Sequence, residues 1–508
     1  MKLNKPTVIL AAGCLLSSAF ARPTYEEALK IIATAPSEIT NTVNSGSRIY
    51  RFTSQFDGQD SVAYPGQTFR QVLINDLKGL MGSMKYGAFN GSESQARNVL
   101  NSFFKYSSGA PLRGPGAING QQRHKTKILD FQGNRMSSLE GATYDSIQSP
   151  GKNLMSKIAG NDNPLRNGEL KGWNSMNLYG VDLSKVDADR NGDSFVEPDD
   201  LVQGIFQVVA KNAATGASFI APNGSLPGQT VKNASITPDG VNLTEIMHKF
   251  LQGAIAFSQA AGDYLATDLG PTKGLNADNT QPYKGSKNHT ALEHFWDEGF
   301  GYFGAARDFA TYTDAEIRKY QSKDTDGDGV ISIHKEYNIG GVALNSARID
   351  RYSAQRGTGT LDLTKEAIDA FLAGRQLITE KPANYTQYIP AYATVALAAW
   401  EKTLGAVVIH YLNATLKQMD AYGTEDYLFV NYAKFWSEMK GYGMIFQFNP
   451  TSLVSLSDFV KMHQLFGDHP VALNASAAAV AGYRNNLLQA RELLRKSLGL
   501  SSMDAQIF

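Results

Sequence analysis

The sequence has one cysteine, Cys14, in 508 residues. It lies in an N-terminal stretch that reads as a secretory signal. Lys2 and Lys5 form a basic start, Val8 to Leu16 an apolar core, and Ala19-Phe20-Ala21 a small-x-small cleavage site before Arg22. Cleavage after Ala21 leaves no thiol, which excludes cysteine proteases, thioredoxin-like redox chemistry and Cys-ligated zinc. Charge of one sign is also lacking. Lys+Arg and Asp+Glu each number 48. Loss of Lys2 and Lys5 leaves 46 basic against 48 acidic residues, a net of about −2. No basic stripe with interleaved aromatics is present, so nucleic acid is not an expected partner. Past the signal, no uncharged apolar run is long enough to span a bilayer, and no integral membrane segment is expected. Neither H-E-x-x-H nor G-x-S-x-G occurs, so zinc-peptidase and serine-hydrolase readings have little footing.

The export signal has a competing reading. Ala11-Ala12-Gly13-Cys14 is similar to a bacterial lipobox, which would place a lipid on Cys14 and anchor the chain. Against it, Ala11 stands where Leu is usual and apolar Leu15-Leu16 follow the cysteine. Both readings put the product outside the cytoplasm, periplasmic or secreted in one case and tethered in the other.

The best-organised stretch runs from Asn288 to Phe309. On a helix, His294 and Glu298 are four apart, His294 and Asp297 three apart, and Glu293 and Asp297 four apart, so each pair shares a face. Imidazole with carboxylate suits zinc, iron or manganese in a helix bundle. Phe295, Trp296, Phe300, Tyr302 and Phe303 supply a dry wall, while Gly299, Gly301 and Gly304 allow close approach of a neighbour. Glu401 and His410, on a later helix, are candidate partners for His294. Nine residues apart, they point to opposite sides of that helix and cannot easily share one ion. The bland alternative is a packed core in which these charges pair internally.

Two acidic loops carry the second signal. Asp187-x-Asp189-x-Asn191-Gly192-Asp193 is followed by Asp199, and Asp324-x-Asp326-x-Asp328-Gly329 by Glu336. Oxygen side chains at alternate positions before a glycine wrap a hard cation, here Ca²⁺. Both closing acids come one position later than the glutamate of an EF-hand. The expected role is structural, clamping connectors between helices. His334, inside the second loop, is expected to be exposed.

Apolar periodicity predicts a mainly α chain. Two extended pieces, Ile49–Phe52 and Asp60–Tyr64, precede helices at 69–84 and 94–106. Residues 107–183 read as loops with a short helix near 153–158. Further helices are expected at 199–210, 241–265, 314–320, within 336–373, and at 390–419, 425–444, 455–466 and 475–498. Lys434 and Glu438, four apart, read as an intrahelical ion pair. Residues 22–240 read as an N-terminal helical subdomain with long loops, and 241–508 as a C-terminal bundle.

The run Glu293-His-Phe-Trp-Asp-Glu-Gly-Phe-Gly-Tyr-Phe-Gly304, with Trp436-Ser-Glu-Met-Lys-Gly441 and Phe446-Gln-Phe-Asn-Pro450, resembles an uncharacterised group of exported bacterial proteins distantly related to the imelysins. The resemblance implies an imelysin-like pair of helix bundles on the Gram-negative envelope, here with two EF-hand-like calcium loops inserted. It also implies a role in metal binding or iron uptake. Imelysins carry His-x-x-Glu. In this chain Asp297 holds the third place after His294 and Glu298 the fourth. Two functions follow: an envelope protein handling iron or zinc through His294 and Glu298, with Asp297, Glu401 and His410 in support, or a calcium-stabilised interaction module with no transition metal. A zinc hydrolase fits less well, because one candidate histidine does not make the three ligands such a centre needs.

Overall fold

The computed structural model describes residues 22–107, 139–148, 152–161, 168–186 and 195–508. The signal stretch and the loop residues Asp187, Asp189, Asn191 and Asp193 lie outside the described residues.

Helix Ile389–Ala421, 33 residues long, is the axis of the fold. Pro390 opens it, where a missing N–H costs nothing, and at 1.5 Å per residue it is roughly 50 Å long. Its sequence is apolar on all sides, and Leu397, Trp400, Val407, Val408 and Ile409 are buried. This helix, extended to Tyr385, is long and apolar enough to cross a membrane, but 94% of its most apolar window is buried inside the protein. Its surface is spent on other helices. Leu363–Glu380 and Phe429–Gly443 pack along it, with Tyr25–Ala33, Gly341–Arg356 and Ala477–Ser497 completing the sleeve. Each fully buried Leu, Ile or Phe in such a core contributes roughly 1.5–3 kcal/mol. One buried cluster runs from Ala28 to Phe508 and draws on both halves of the chain.

The chain is mainly helical, as its periodicity predicts, with sixteen α-helices among the described residues. Strand is confined to three short pairs: Leu139–Glu140 parallel with Ile331–Ser332, Asn177–Leu178 antiparallel with Val181–Asp182, and the hairpin Phe219–Asn223 with Leu226–Val231. The extended pieces at 49–52 and 60–64 form one isolated bridge, Thr53 with Asp60. The Tyr50 N–H is instead used by the carbonyl of Arg307, at 2.7 Å.

The helix expected at 241–265 is regular only from Leu243 to Leu251. Two π-helical segments follow, Gln252–Phe257 and Ala260–Tyr264. Small residues at 253, 254, 256 and 260–262 alternate with the buried Ile255, Phe257 and Tyr264, and Ile445 packs so closely on Gly253 that a Cβ there would overlap it. Insertions of this kind are often found at functional sites.

Candidate functional site

Helix Ala291–Phe303 forms as the sequence predicts and begins with a capping box. Thr290 Oγ1 accepts from the Glu293 N–H at 3.2 Å, and Glu293 Oε2 accepts from the Thr290 N–H at 2.8 Å. Gly304 ends it in the left-handed region, φ +74°. Gly301 faces Tyr64, and a Cβ there would lie 2.6 Å from the Tyr64 Cβ. The helix is thereby fixed against the segment that carries Tyr50 and Tyr64.

One face of this helix is an enclosed charge network, the packed alternative of the sequence reading, closed by a cation, Arg375, that the sequence reading did not name. Arg375, fully buried on Leu363–Glu380, donates through Nε to Asp297 Oδ1 at 2.9 Å and through Nη1 to Glu293 Oε1 at 3.0 Å. Its Nη2 donates to Ser61 Oγ at 2.8 Å, and the Tyr50 hydroxyl donates to Asp297 Oδ1 at 2.8 Å. Burial raises the Asp297 carboxyl to about 6, with Arg375 and Tyr50 pulling the other way. Asp297 and Glu293 are therefore committed to a guanidinium, and Asp297 is not presented to His294 as a metal ligand. The one sequence signal was an arginine within the apolar run Phe371-Leu-Ala-Gly-Arg-Gln-Leu-Ile378.

His294 and Glu298 do meet, on the other face. His294 Nε2 lies 3.6 Å from Glu298 Oε2. Glu298 Oε1 accepts from Gln67 Nε2 at 2.6 Å. The His294 ring stacks on His289, centroids 5.0 Å apart and planes 16° apart, and lies 4.9 Å from the Tyr283 ring. Burial, then Lys284 and Lys287, lower the His294 pKa to about 4. Burial, then His294, lower that of His289 to about 4. Burial raises the Glu298 carboxyl. Both imidazoles are thus neutral at physiological pH, the form that ligates metals.

Glu401 and His410 do not join them. Glu401, fully buried, accepts from Asn449 Nδ2 at 3.0 Å and from the Leu453 N–H at 2.7 Å. Burial raises it to about 7. The His410 ring lies tilted beside Tyr352 and edge-on to Tyr411, and burial, then Arg348, lower it to about 4. Among the described residues, the group of three or more His, Cys, Asp or Glu side chains whose ligand atoms lie within 4.8 Å of one another is Asp324, Asp326 and Asp328.

Those three belong to the second acidic loop. Asp324 Oδ1 accepts from the N–H groups of Gly327 and Asp328 at 2.8 and 3.2 Å, and Oδ2 from that of Gly329 at 2.9 Å. Gly327 and Gly329 take φ +75° and +81°, and so curl the backbone around the first carboxylate. The three carboxylates are exposed. Glu336, expected as the closing ligand, lies outside that group of three. It is buried, and its oxygens accept from the N–H groups of Thr325 (2.6 Å), Asp326 (3.3 Å) and Ser332 (3.0 Å). It braces the loop from inside, a use that does not need EF-hand spacing. His334 is half-buried rather than exposed, and burial lowers it to about 4. From the first loop, Asp199 is described: it is buried at the start of helix Pro198–Thr215, 3.4 Å from Asn161 Nδ2.

The ion pair expected between Lys434 and Glu438 is not formed. Glu438 turns inward to Lys249, 3.0 Å away.

Residues 193–420 match the model of a family described as a domain of unknown function, DUF4856. No curated protein and no solved structure matches the chain. The matched span contains the His294 helix, the Asp324 loop, Arg375, Glu401 and His410, whereas Lys434 and Glu438 fall beyond it.

Proposed function

We propose that this chain is an exported, calcium-loaded helical protein of the bacterial envelope that acts by binding rather than by catalysis. The observation that carries the reading is the Asp324, Asp326 and Asp328 cluster, whose oxygens lie within 4.8 Å of one another on a loop braced by Glu336. Ca²⁺ takes six to eight oxygens. The three carboxylates, the Val330 carbonyl at the usual backbone position and water supply such a set. The acidic repeat at 187–199 is proposed as a second loop of the same kind. The secretory signal supports an extracytoplasmic location, where calcium is plentiful, and the sequence motifs support the imelysin-like pairing of bundles. Calcium at a hundredfold over its Kd adds about 2.7 kcal/mol of stability, about 2–3 °C in a chain of this size. Thermal unfolding with calcium and with chelator measures this. No difference, or the same difference in Asp326→Asn, would reject the loop as a calcium site.

A second reading rests on the His294–Glu298 approach at 3.6 Å with His289 stacked beside it. In it the site takes iron or zinc, in a role like metal acquisition. Elemental analysis of protein purified from the periplasm, wild type against His294→Ala, separates the two readings. Stoichiometric iron or zinc lost in the variant supports the second, and calcium alone in both proteins removes it.

A further inference from the structure

A cavity of about 450 Å³ lies beside the π-helical start at Gln252, among helices Pro65–Ser83, Leu243–Leu251, Gly341–Arg356 and Phe429–Gly443. Five basic side chains line it: Lys78, Lys249, Arg318, Arg348 and Lys434. Two carboxylates answer them. Glu245 sits 3.1 Å from Lys78 and 3.3 Å from Lys249, and Glu438 sits 3.0 Å from Lys249. Both acids are thus used by the two lysines. Among the described residues, none of Arg318, Arg348 and Lys434 has a carboxylate within 4 Å; Arg348 makes one long hydrogen bond, 3.4 Å, to the Tyr411 hydroxyl.

Three half-buried cations face one cavity with no carboxylate of the described residues within 4 Å of any of them, the lining acid Glu438 being paired with Lys249. Like charges held together in a partly desolvated place raise each other's cost, and burial, then Arg348, do lower the Arg318 pKa. A concave surface of one sign focuses its field and concentrates ions of the opposite sign. The chemistry is selective as well as positive. A guanidinium presents a planar fork that fits carboxylate and phosphate oxygens in pairs. Neutral groups complete the wall: Asn345 Nδ2 donates to the Tyr442 hydroxyl at 3.2 Å, and that hydroxyl donates to Gln252 Oε1 at 3.0 Å. This chain ties the π-helical turn to the cavity.

We propose that this cavity binds a small organic polyanion carrying about two or more negative charges on carboxylate or phosphate groups, with Arg318 and Arg348 reading its oxygens and Lys434 supplying the third charge. The volume admits a tricarboxylate or a hexose phosphate and excludes a folded partner. The site is independent of both the acidic loop and His294.

The test is calorimetric titration of the calcium-loaded mature protein with tricarballylate, succinate and glucose 6-phosphate, with glucose as the neutral control, in 20 mM and 300 mM salt. At least one polyanion is expected to bind with a micromolar to low-millimolar Kd, at least tenfold more weakly in Arg318→Gln and Arg348→Gln, and more weakly in high salt. Preference among the three tells carboxylate from phosphate recognition. Lys434→Gln, at a half-buried position without an acidic partner, gives a second variant if either arginine variant fails to fold. Absence of binding by all three polyanions, or equal affinity in the folded variants, overturns the proposal.

Discussion

Arg375 and Arg318 are both held away from bulk water, in opposite electrostatic company. Arg375 is fully buried among two carboxylates and the hydroxyls of Ser61 and Thr379, and its hydrogen bonds all lie inside the protein. Arg318 is half-buried beside Arg348 and lines open space. The first arrangement fixes a helix; the second leaves an excess of positive charge, because Glu245 and Glu438 are taken by Lys78 and Lys249. Charge that is matched internally points to architecture, and charge left over in a cavity points to a ligand.

The largest expected effect comes from breaking the matched region. Arg375→Ala strands Glu293 and Asp297 without a cation and should cost about 3–5 kcal/mol, read from urea unfolding. Adding Glu293→Gln and Asp297→Asn should restore part of that loss. If the single variant is as stable as the wild type, the network is not a structural lock.

Glu401 tests a third situation, a buried acid held by neutral donors. Burial raises its folded pKa from the ordinary 4.5 to about 7, so between those values the folded state holds more protons than the unfolded one. Stability therefore rises as pH falls from 7 toward 4.5, by about 3 kcal/mol from this residue. Over the same range, His289, His294 and His410, lowered to about 4, act in the opposite direction below 6.5. Glu401→Gln should remove the acid's contribution and leave a steeper loss of stability on acidification, measurable as urea midpoints from pH 5 to 8.

Gly301→Ala should cost about 1–3 kcal/mol through overpacking, because its Cβ would meet Tyr64. The smallest effect is expected at Arg318. Arg318→Gln should change unfolding free energy by no more than about 0.5 kcal/mol, while weakening polyanion binding tenfold. A large destabilisation there would move Arg318 into the same class as Arg375.

What the sequence made legible follows the range of the interactions. The helices at 65–83, 93–104, 389–421 and 477–497 show in local periodicity, and the second acidic loop in the spacing of Asp324, Asp326 and Asp328. The spacing of Glu293 and Asp297 also put both on one helix face, but not what they would bind. Their partner, Arg375, is about 80 residues away in sequence. Lys434 and Glu438 mislead for the same reason, since a buried lysine from a distant helix outcompetes the local one. The π-helical turns leave no mark, because the apolar spacing through Ile255, Phe257 and Ala260 reads as a regular helix.

The two-residue ladder joining Leu139–Glu140 to Ile331–Ser332 closes about 190 residues of chain at the exit of the acidic loop. So small a seam has little strength of its own, and it directly follows the acidic loop in the chain. An ion that stiffens the loop would then act as a latch on a distant stretch. Chelation should make the backbone around 139–148 more vulnerable to protease without altering a single residue there.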